Sequence, residues 1–283
     1  MLFRSQELPL VFDSPHSGTD YPADFKYSCP FDVLRAAEDT FVDELYAAAP
    51  TYGATLIGAY FPRSYIDVNR DVGDIDQHLL NAPWPRKLTP GDKTRLGMGL
   101  IRRLAVPELP VYSRKLAVGE VQARIDRYYV PYHAELPAVA SRLYARFGGV
   151  WHINCHSMKS VSNGMASEGA GVARADFVLG DRDGTTCAPE LTRFVAGFLE
   201  QRRYRVAVND PYKGVELVRR HGRPQENCHS LQIEVNRKLY MDEATFERNA
   251  NFERLKGDFD ALAAALAGRS EEHTSELQSR HNL

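Results

Sequence analysis

Apolar residues in this chain gather into short runs that break off on polar clusters. Between them lie longer stretches with apolar positions every three or four residues. The clearest run is Val150–Lys159, VWHINCHSMK, set off by Phe147-Gly148-Gly149 and ending in His156-Ser157-Met158-Lys159. It predicts a buried strand that presents His156 at its carboxyl end. Leu8–Asp13 predicts another, running into Ser14-Pro15-His16-Ser17-Gly18, which cannot continue a strand. His16 therefore also sits just past a strand end. Thr55–Tyr60, Asp176–Asp181 and Tyr204–Val208 predict three more strands. His229–Arg237 alternates, with Leu231, Ile233 and Val235 pointing one way and Gln232, Glu234 and Asn236 the other. A carboxylate in the middle of such a strand is costly unless a metal or an arginine faces it.

Helical spacing marks Phe31–Ala49, Val118–Phe147 (bent at Pro131 and near Pro137), Pro189–Arg203, the short Val215–His221 and a closing helix over Met241–Leu266. The first of these carries Glu38, Asp39, Asp43 and Glu44, with Asp39 and Asp43 one turn apart on one face. Residues 61–71, FPRSYIDVNRD, read as extended, with Asp67, Asn69 and Asp71 on one side. Arg63 and Arg70 are the strong anion binders there, since arginine's planar fork suits a carboxylate. Residues 72–117 are loop-rich, and Gly97–Ile101 reads as a mobile loop near the site. The Gly-, Ser- and Ala-rich Ser160–Arg174 reads as a flexible cover, and His133 as packed inside its helix. Strands alternating with helices predict an α/β layer fold with a largely parallel sheet in one domain, and a crevice at the strand ends.

Composition narrows the function without naming it. The chain has 283 residues, 43% hydrophobic and 25% charged, with a net charge of −2. That is enough for a sizeable core and gives no reason to expect a nucleic-acid or membrane partner. No run approaches membrane-spanning length, and MLFRSQELPLVF lacks the apolar segment of a signal peptide, so a cytoplasmic location is expected. Cys29, Cys155, Cys187 and Cys228 are scattered and predict reduced core thiols. After Gly268 the periodicity stops. RSEEHTSELQSRHNL resembles a translated sequencing adapter, so the domain is expected over 1–268, with 269–283 a non-native or disordered tail.

Two histidines and a carboxylate converging on a crevice match a catalytic zinc site, and a nearby glutamate matches the base that deprotonates its water. Arginines and asparagine match an anionic, amino-acid-like substrate. HExxH, GxSxG, P-loop and GxGxxG patterns are absent. Cys155 and His156 are strand neighbours pointing to opposite faces, which argues against a cysteine hydrolase built on Cys155.

The segments SPHSG, AEDTFVDELY, FPRSYIDVNRD, INCHSM, DFVLGDRDGT, NDPYKG and HSLQIEVNRKLYMDE, in that order, resemble the N-formylglutamate amidohydrolase family over about residues 6–267. The resemblance implies a three-layer, zinc-carboxypeptidase-like fold: a mixed, mostly parallel sheet with helices on both faces and one zinc ion at the strand ends. It implies hydrolysis of N-formyl-L-glutamate to formate and L-glutamate in histidine degradation. His16 and His156 would be metal ligands. The carboxypeptidase pattern has an acid three residues after the first histidine, where this chain has Thr19, so the third ligand comes from elsewhere: Asp39, with Asp43, Glu38 and Asp20 as alternatives. Glu234 would be the base, and Arg63, Asn69, Arg70, Asn236 and Arg237 would hold the substrate carboxylates and the developing oxyanion. Two other readings remain: a zinc amidase acting on other N-acyl amino acids or short peptides, and a non-catalytic carboxylate-binding protein. The oligomeric state is not legible.

Overall fold

The computed structural model describes residues 6–164, 166 and 168–281. Residues 1–5 of the amino-terminal segment, 165 and 167 of the Gly- and Ser-rich cover, and 282–283 of the tail lie outside the described residues. In chain order the elements are β1 (Leu10–Ser14), α1 (Phe31–Arg35), α2 (Val42–Leu45), β2 (Thr55–Gly58), α3 (Asp92–Arg95), β3 (Leu104–Val106), β4 (Leu109–Pro110), α4 (Val118–Arg124), α5 (Val130–Phe147), β5 (Val150–Met158), β6 (Phe177–Gly180), α6 (Pro189–Gln201), β7 (Val206–Val208), α7 (Glu216–His221), β8 (Cys228–Asn236) and α8 (Phe252–His281). A stretch of π-helix, Ile125–Tyr129, joins α4 to α5.

Six strands form one sheet in the order β2-β1-β5-β8-β6-β7. The first four run parallel, and β6 turns antiparallel to β8 with β7 parallel beside it. The sheet is mixed and mostly parallel, as expected, and both faces are covered. Trp151, Ile153 and Cys155 of β5 and Leu231, Ile233 and Val235 of β8 pack against α6 and α8 through Leu191, Val195, Leu255 and Phe259. On the other face Tyr132, Leu136, Val139 and Leu143 of α5 and Leu217 of α7 close over the sheet. Every residue of β5 and β8 is buried, as central parallel strands require.

The second face is not apolar throughout. Asp13, His152, Asn154, His156, Ser230, Gln232 and Glu234 form a buried polar seam across β1, β5 and β8. Asp13 is its anchor, accepting from Asn154 Nδ2 at 2.8 Å and the Tyr132 hydroxyl at 2.8 Å, with His152 Nε2 at 2.7 Å. Burial alone would raise the Asp13 carboxyl, but His152 and these donors hold it below its usual range. A buried seam survives only when its groups are paired, and here the pairs run along the strands toward the site.

Several expected elements are corrected. The helix over Phe31–Ala49 breaks between α1 and α2, where Phe41 is left-handed at φ 66°. Tertiary bonds replace the helical ones: the carbonyls of Ala36 and Glu38 accept from the Arg237 guanidinium, and Asp39 N donates to His16 O at 3.0 Å. Asp39 and Asp43 therefore share no helix face, and Asp43 is exposed. Residues 61–71 are turns rather than extended chain, because Asp67 Oδ1 captures the Asn69 amide two residues on at 2.9 Å. Gly97–Ile101 is anchored rather than loose: Leu100 and Ile101 are fully buried, and a side chain at Gly99 would meet Asp74 O at 2.5 Å. The closing helix starts at Phe252, after a turn in which Asp242 Oδ1 accepts from Ala244 N and Thr245 N.

Beyond Gly268, α8 continues to His281. Ser270 and Thr274 are buried with their hydroxyls bonded to Ala267 O and Ser270 O, which removes the penalty of burying them. The His273 ring lies 5.7 Å from Trp151 and 5.4 Å from His229, at the start of β5 and β8 and far along them from His156. Deleting residues 269–283 is expected to lower the melting temperature by roughly 2–4 °C, the shift for about 1 kcal/mol in a chain of this size. Calorimetry of the truncated chain checks it, and an unchanged transition would show that these contacts contribute nothing. Among the described residues no helix is long and apolar enough to cross a membrane.

Candidate active site

The carboxyl ends of β1, β5 and β8 lie side by side, and the chain uses each of them. β1 runs out through Ser14-Pro15 to His16, β5 carries His156, and β8 sets Glu234 directly beside His156 in register. Neighbours in register on parallel strands point to the same face, so the imidazole and the carboxylate share one side of the sheet. The broken helix brings Asp39 in above them. His156 Nδ1 lies 3.0 Å from Asp39 Oδ2, and His16 Nδ1 lies 3.4 Å from the same oxygen. The two rings are 4.7 Å apart between centroids.

The other nitrogen of each ring is tied elsewhere. His16 Nε2 lies 2.7 Å from Asp67 Oδ1, the carboxylate that the 61–71 turn positions. His156 Nε2 lies 2.7 Å from Asn154 Oδ1, whose amide nitrogen is turned toward Asp13 in the polar seam. The oxygen beside each Nε2 favours the tautomer with its hydrogen there, which would leave Nδ1 free to bind a metal beside Asp39. This arrangement selects the tautomer in metal-binding histidines. His16 Nδ1 is buried and has no hydrogen-bond partner of its own. One donor atom from each of His16, Asp39 and His156 lies within 4.8 Å of the other two. Donors around one tetrahedral ion at ~2.0–2.1 Å sit roughly 3.3 Å apart, close to the two measured spacings. The residues fit a divalent cation with a position open to a water.

Electrostatics agree. Burial would raise Asp39, but the facing imidazoles of His156 and His16 and the Arg63 guanidinium hold it well below the usual carboxylate range. Burial lowers His156, against the hydrogen bond and charge of Asp39 that raise it, and so favours the neutral ring. Glu234 goes the other way, pushed up to about 8 by burial and by the Asp39 charge, against the pull of Arg63, Arg237 and Arg174. Its bond to a neighbour is from Gln232 Nε2 at 3.0 Å, and among the described residues no lysine or arginine lies within ion-pair distance of it. A purely structural carboxylate in this strand would have such a partner.

The remaining candidates divide. Arg63 and Arg237 line the crevice, paired to Asp67 at 2.8 Å and to Asp39 at 3.1 Å. Asn69 does not face substrate: its oxygen accepts from Leu217 N, and its Nδ2 lies against the edge of the His156 ring, 3.1 Å from Nε2. Arg70 and Asn236 build walls instead of lining them. Arg70 donates to Met98 O and Asn69 O, while Asn236 donates to Ala175 O and accepts from Lys238 N. Of the alternative third ligands, Asp20 and Asp43 are exposed, and Glu38 is turned to the Tyr21 hydroxyl and Arg35. Cys155 faces the opposite core, its thiol pushed far up by burial, so it is no nucleophile. His133 is packed, stacked on Tyr129 and bonded to Val68 O.

With this geometry in hand, comparison with known proteins is decisive. The chain matches the N-formylglutamate amidohydrolase family over residues 8–241. The chain belongs to that family. A curated N-formylglutamate deformylase of Pseudomonas aeruginosa is 28% identical over 244 residues, 85% of either chain. One from Pseudomonas putida is 28% identical over 246 residues. The crystal structure of an N-formylglutamate amidohydrolase from Ralstonia eutropha superposes with a TM-score of 0.91 at 50% identity, covering 95% of this chain and 96% of that one. A gene product of Agrobacterium tumefaciens, 20% identical with a TM-score of 0.59, shares the fold. Within this family's frame, the residues that pattern reading missed are Asn154 and Asp67, which orient the two histidines, and Arg102, Arg174 and Tyr212, which line the crevice. Asn154 had a signal: it lies two residues before His156, on the same face of one strand.

Proposed function

We propose that this chain hydrolyses N-formyl-L-glutamate to formate and L-glutamate with one zinc ion held by His16, Asp39 and His156. The observation that carries this is the pair of Nδ1 atoms turned onto one Asp39 oxygen beside Glu234. Held by His16, Asp39 and His156, a divalent ion would supply Lewis acidity for the formyl oxygen and the attacking water, and its charge would offset that of Asp39, which raises Glu234. Glu234 accepts the proton of the attacking water and returns it to the leaving amine. Arg63, 3.9 Å from Asp39, and Arg237 stand where negative charge develops on the carbonyl oxygen. Asp67 and Asn154 hold the imidazoles, so no ring reorganises during the reaction.

The four buried, unpaired thiols support a reducing compartment, the cytoplasm, and the products suit a step in histidine degradation. The test is formate release as a function of pH. Glu234 must be ionised to accept a proton, so activity falls as pH drops through its pKa. With the Asp39 charge offset, that acid limb is expected below the value of about 8. No formate at any pH would remove the activity, and a profile without an acid limb would remove Glu234 as the base.

A further inference from the structure

The crevice holds a second unused feature. It encloses about 160 Å³, and its walls carry six cationic side chains, Arg63, Lys93, Arg102, Lys159, Arg174 and Arg237, against the single carboxylate of Asp39. Three of the six are already committed: Arg63 to Asp67, Arg237 to Asp39, and Arg174 to Glu168 at 2.7 Å. The two lysines are only half-buried, and solvent serves them. Arg102 is different. It is 9% exposed, and among the described residues its guanidinium has neither an ion pair nor a side-chain hydrogen bond. A guanidinium this little exposed, with no protein acceptor among the described residues, is costly, and Arg63 nearby adds like-charge repulsion. Burial and Arg63 together lower Arg102 to about 9.

The backbone that carries Arg102 is built to hold it there. Leu100 and Ile101 before it are fully buried, Leu100 N donates to Asp74 O at 2.7 Å, and Leu100 O accepts from Asp67 N at 2.8 Å. That last bond ties Arg102's segment to the residue that orients His16. A planar fork on a rigid strut, without an acceptor among the described residues, is a preformed site for a carboxylate from outside.

Resting on the N-formylglutamate reading, we infer that Arg102 binds the side-chain carboxylate of the substrate and sets the preference for an acidic amino acid. The assignment to that carboxylate follows from which cations already touch Asp39. The α-carboxylate sits one carbon from the reacting amide, within the neighbourhood of Arg63 and Arg237, both of which touch Asp39. Arg102 has no ion pair with Asp39 among the described residues, which leaves it for the second carboxylate.

The experiment compares N-formyl-L-glutamate with the neutral isostere N-formyl-L-glutamine in the wild-type chain, Arg102→Met and Arg102→Lys. Arg102→Met should raise KM for the glutamate substrate about 10- to 100-fold, with kcat little changed, and leave kcat/KM for the glutamine substrate unaltered. Arg102→Lys should retain part of the preference. Because Arg102 has no internal partner among the described residues, the melting temperature of Arg102→Met should hold or rise, where loss of a structural arginine would lower it. Equal losses on both substrates, or no loss on either, overturn the inference. A wild-type chain that releases no formate from either compound overturns the activity reading instead. Calorimetry with L-glutamate against L-glutamine then still decides Arg102, by whether the difference in affinity disappears in Arg102→Met.

Discussion

Glu234→Gln is expected to reduce kcat by about 10²–10⁴-fold while the protein stays folded and keeps its metal. The change preserves size and a hydrogen bond to Gln232 but removes the basicity. Two features make the effect separable from stability. Glu234 has no ion pair to lose, and its carboxyl is already raised to about 8, so a neutral amide there relieves repulsion with Asp39 rather than creating it. The melting temperature should therefore be unchanged or higher. A variant that turns over normally per folded molecule would reduce Glu234 to a wall residue.

Asp39→Asn is expected to bring bound metal from about one equivalent per chain to near zero after dialysis, and activity with it. The amide keeps the shape of the carboxylate but neither its charge nor its second acceptor oxygen, which Arg237 uses at 3.1 Å. Leaving that guanidinium buried and unpaired should also destabilise the chain, by about 3–5 kcal/mol when a buried pair loses one partner. Metal analysis is the deciding measurement, because stability alone would fall in either role. Asp43→Asn and Glu38→Gln should retain metal, since Asp43 is exposed and Glu38 is turned to Tyr21. Full metal content in Asp39→Asn would move the third ligand elsewhere.

The meeting of His16, His156 and Glu234 at one crevice was legible because each breaks a pattern: two end or interrupt apolar runs, and one is a charge inside a strand. The period of two also placed Glu234 and Asn236 on one face correctly, but it could not tell that Asn236 would spend its amide on Ala175 O. Asp39 was legible as a candidate among several acids and not as the one, because the choice depends on Arg237, distant in sequence, unwinding a helix that local periodicity favours. Arg70 was overread for a related reason. Charge type is visible in a sequence, whereas the carbonyls that satisfy it, here Met98 O and Asn69 O, are set by tertiary structure. Arg102 was missed because its segment has no period, and its distinguishing property is the lack of a partner, which no local pattern encodes. Composition does not show the helix of the polar tail, since hydroxyls bonded to their own helix can be buried as easily as apolar groups.

The sheet order has a consequence for how this site comes into being. β5 at its centre pairs on one side with residues 10–13 and on the other with residues 228–236, so its two neighbours come from opposite ends of the chain. Loop closure over such separations is slow, and the fold has few local shortcuts to it. During synthesis a chain can pair β1 with β5 but cannot set Glu234 beside His156 until its last strand has emerged. A half-made chain thus carries the two histidines without the base. Since His16, Asp39 and His156 also come from distant segments, an ion that binds the assembled site favours the native state over the unfolded one. Added metal should then raise the midpoint of chemical unfolding, by an amount that grows with the logarithm of its concentration.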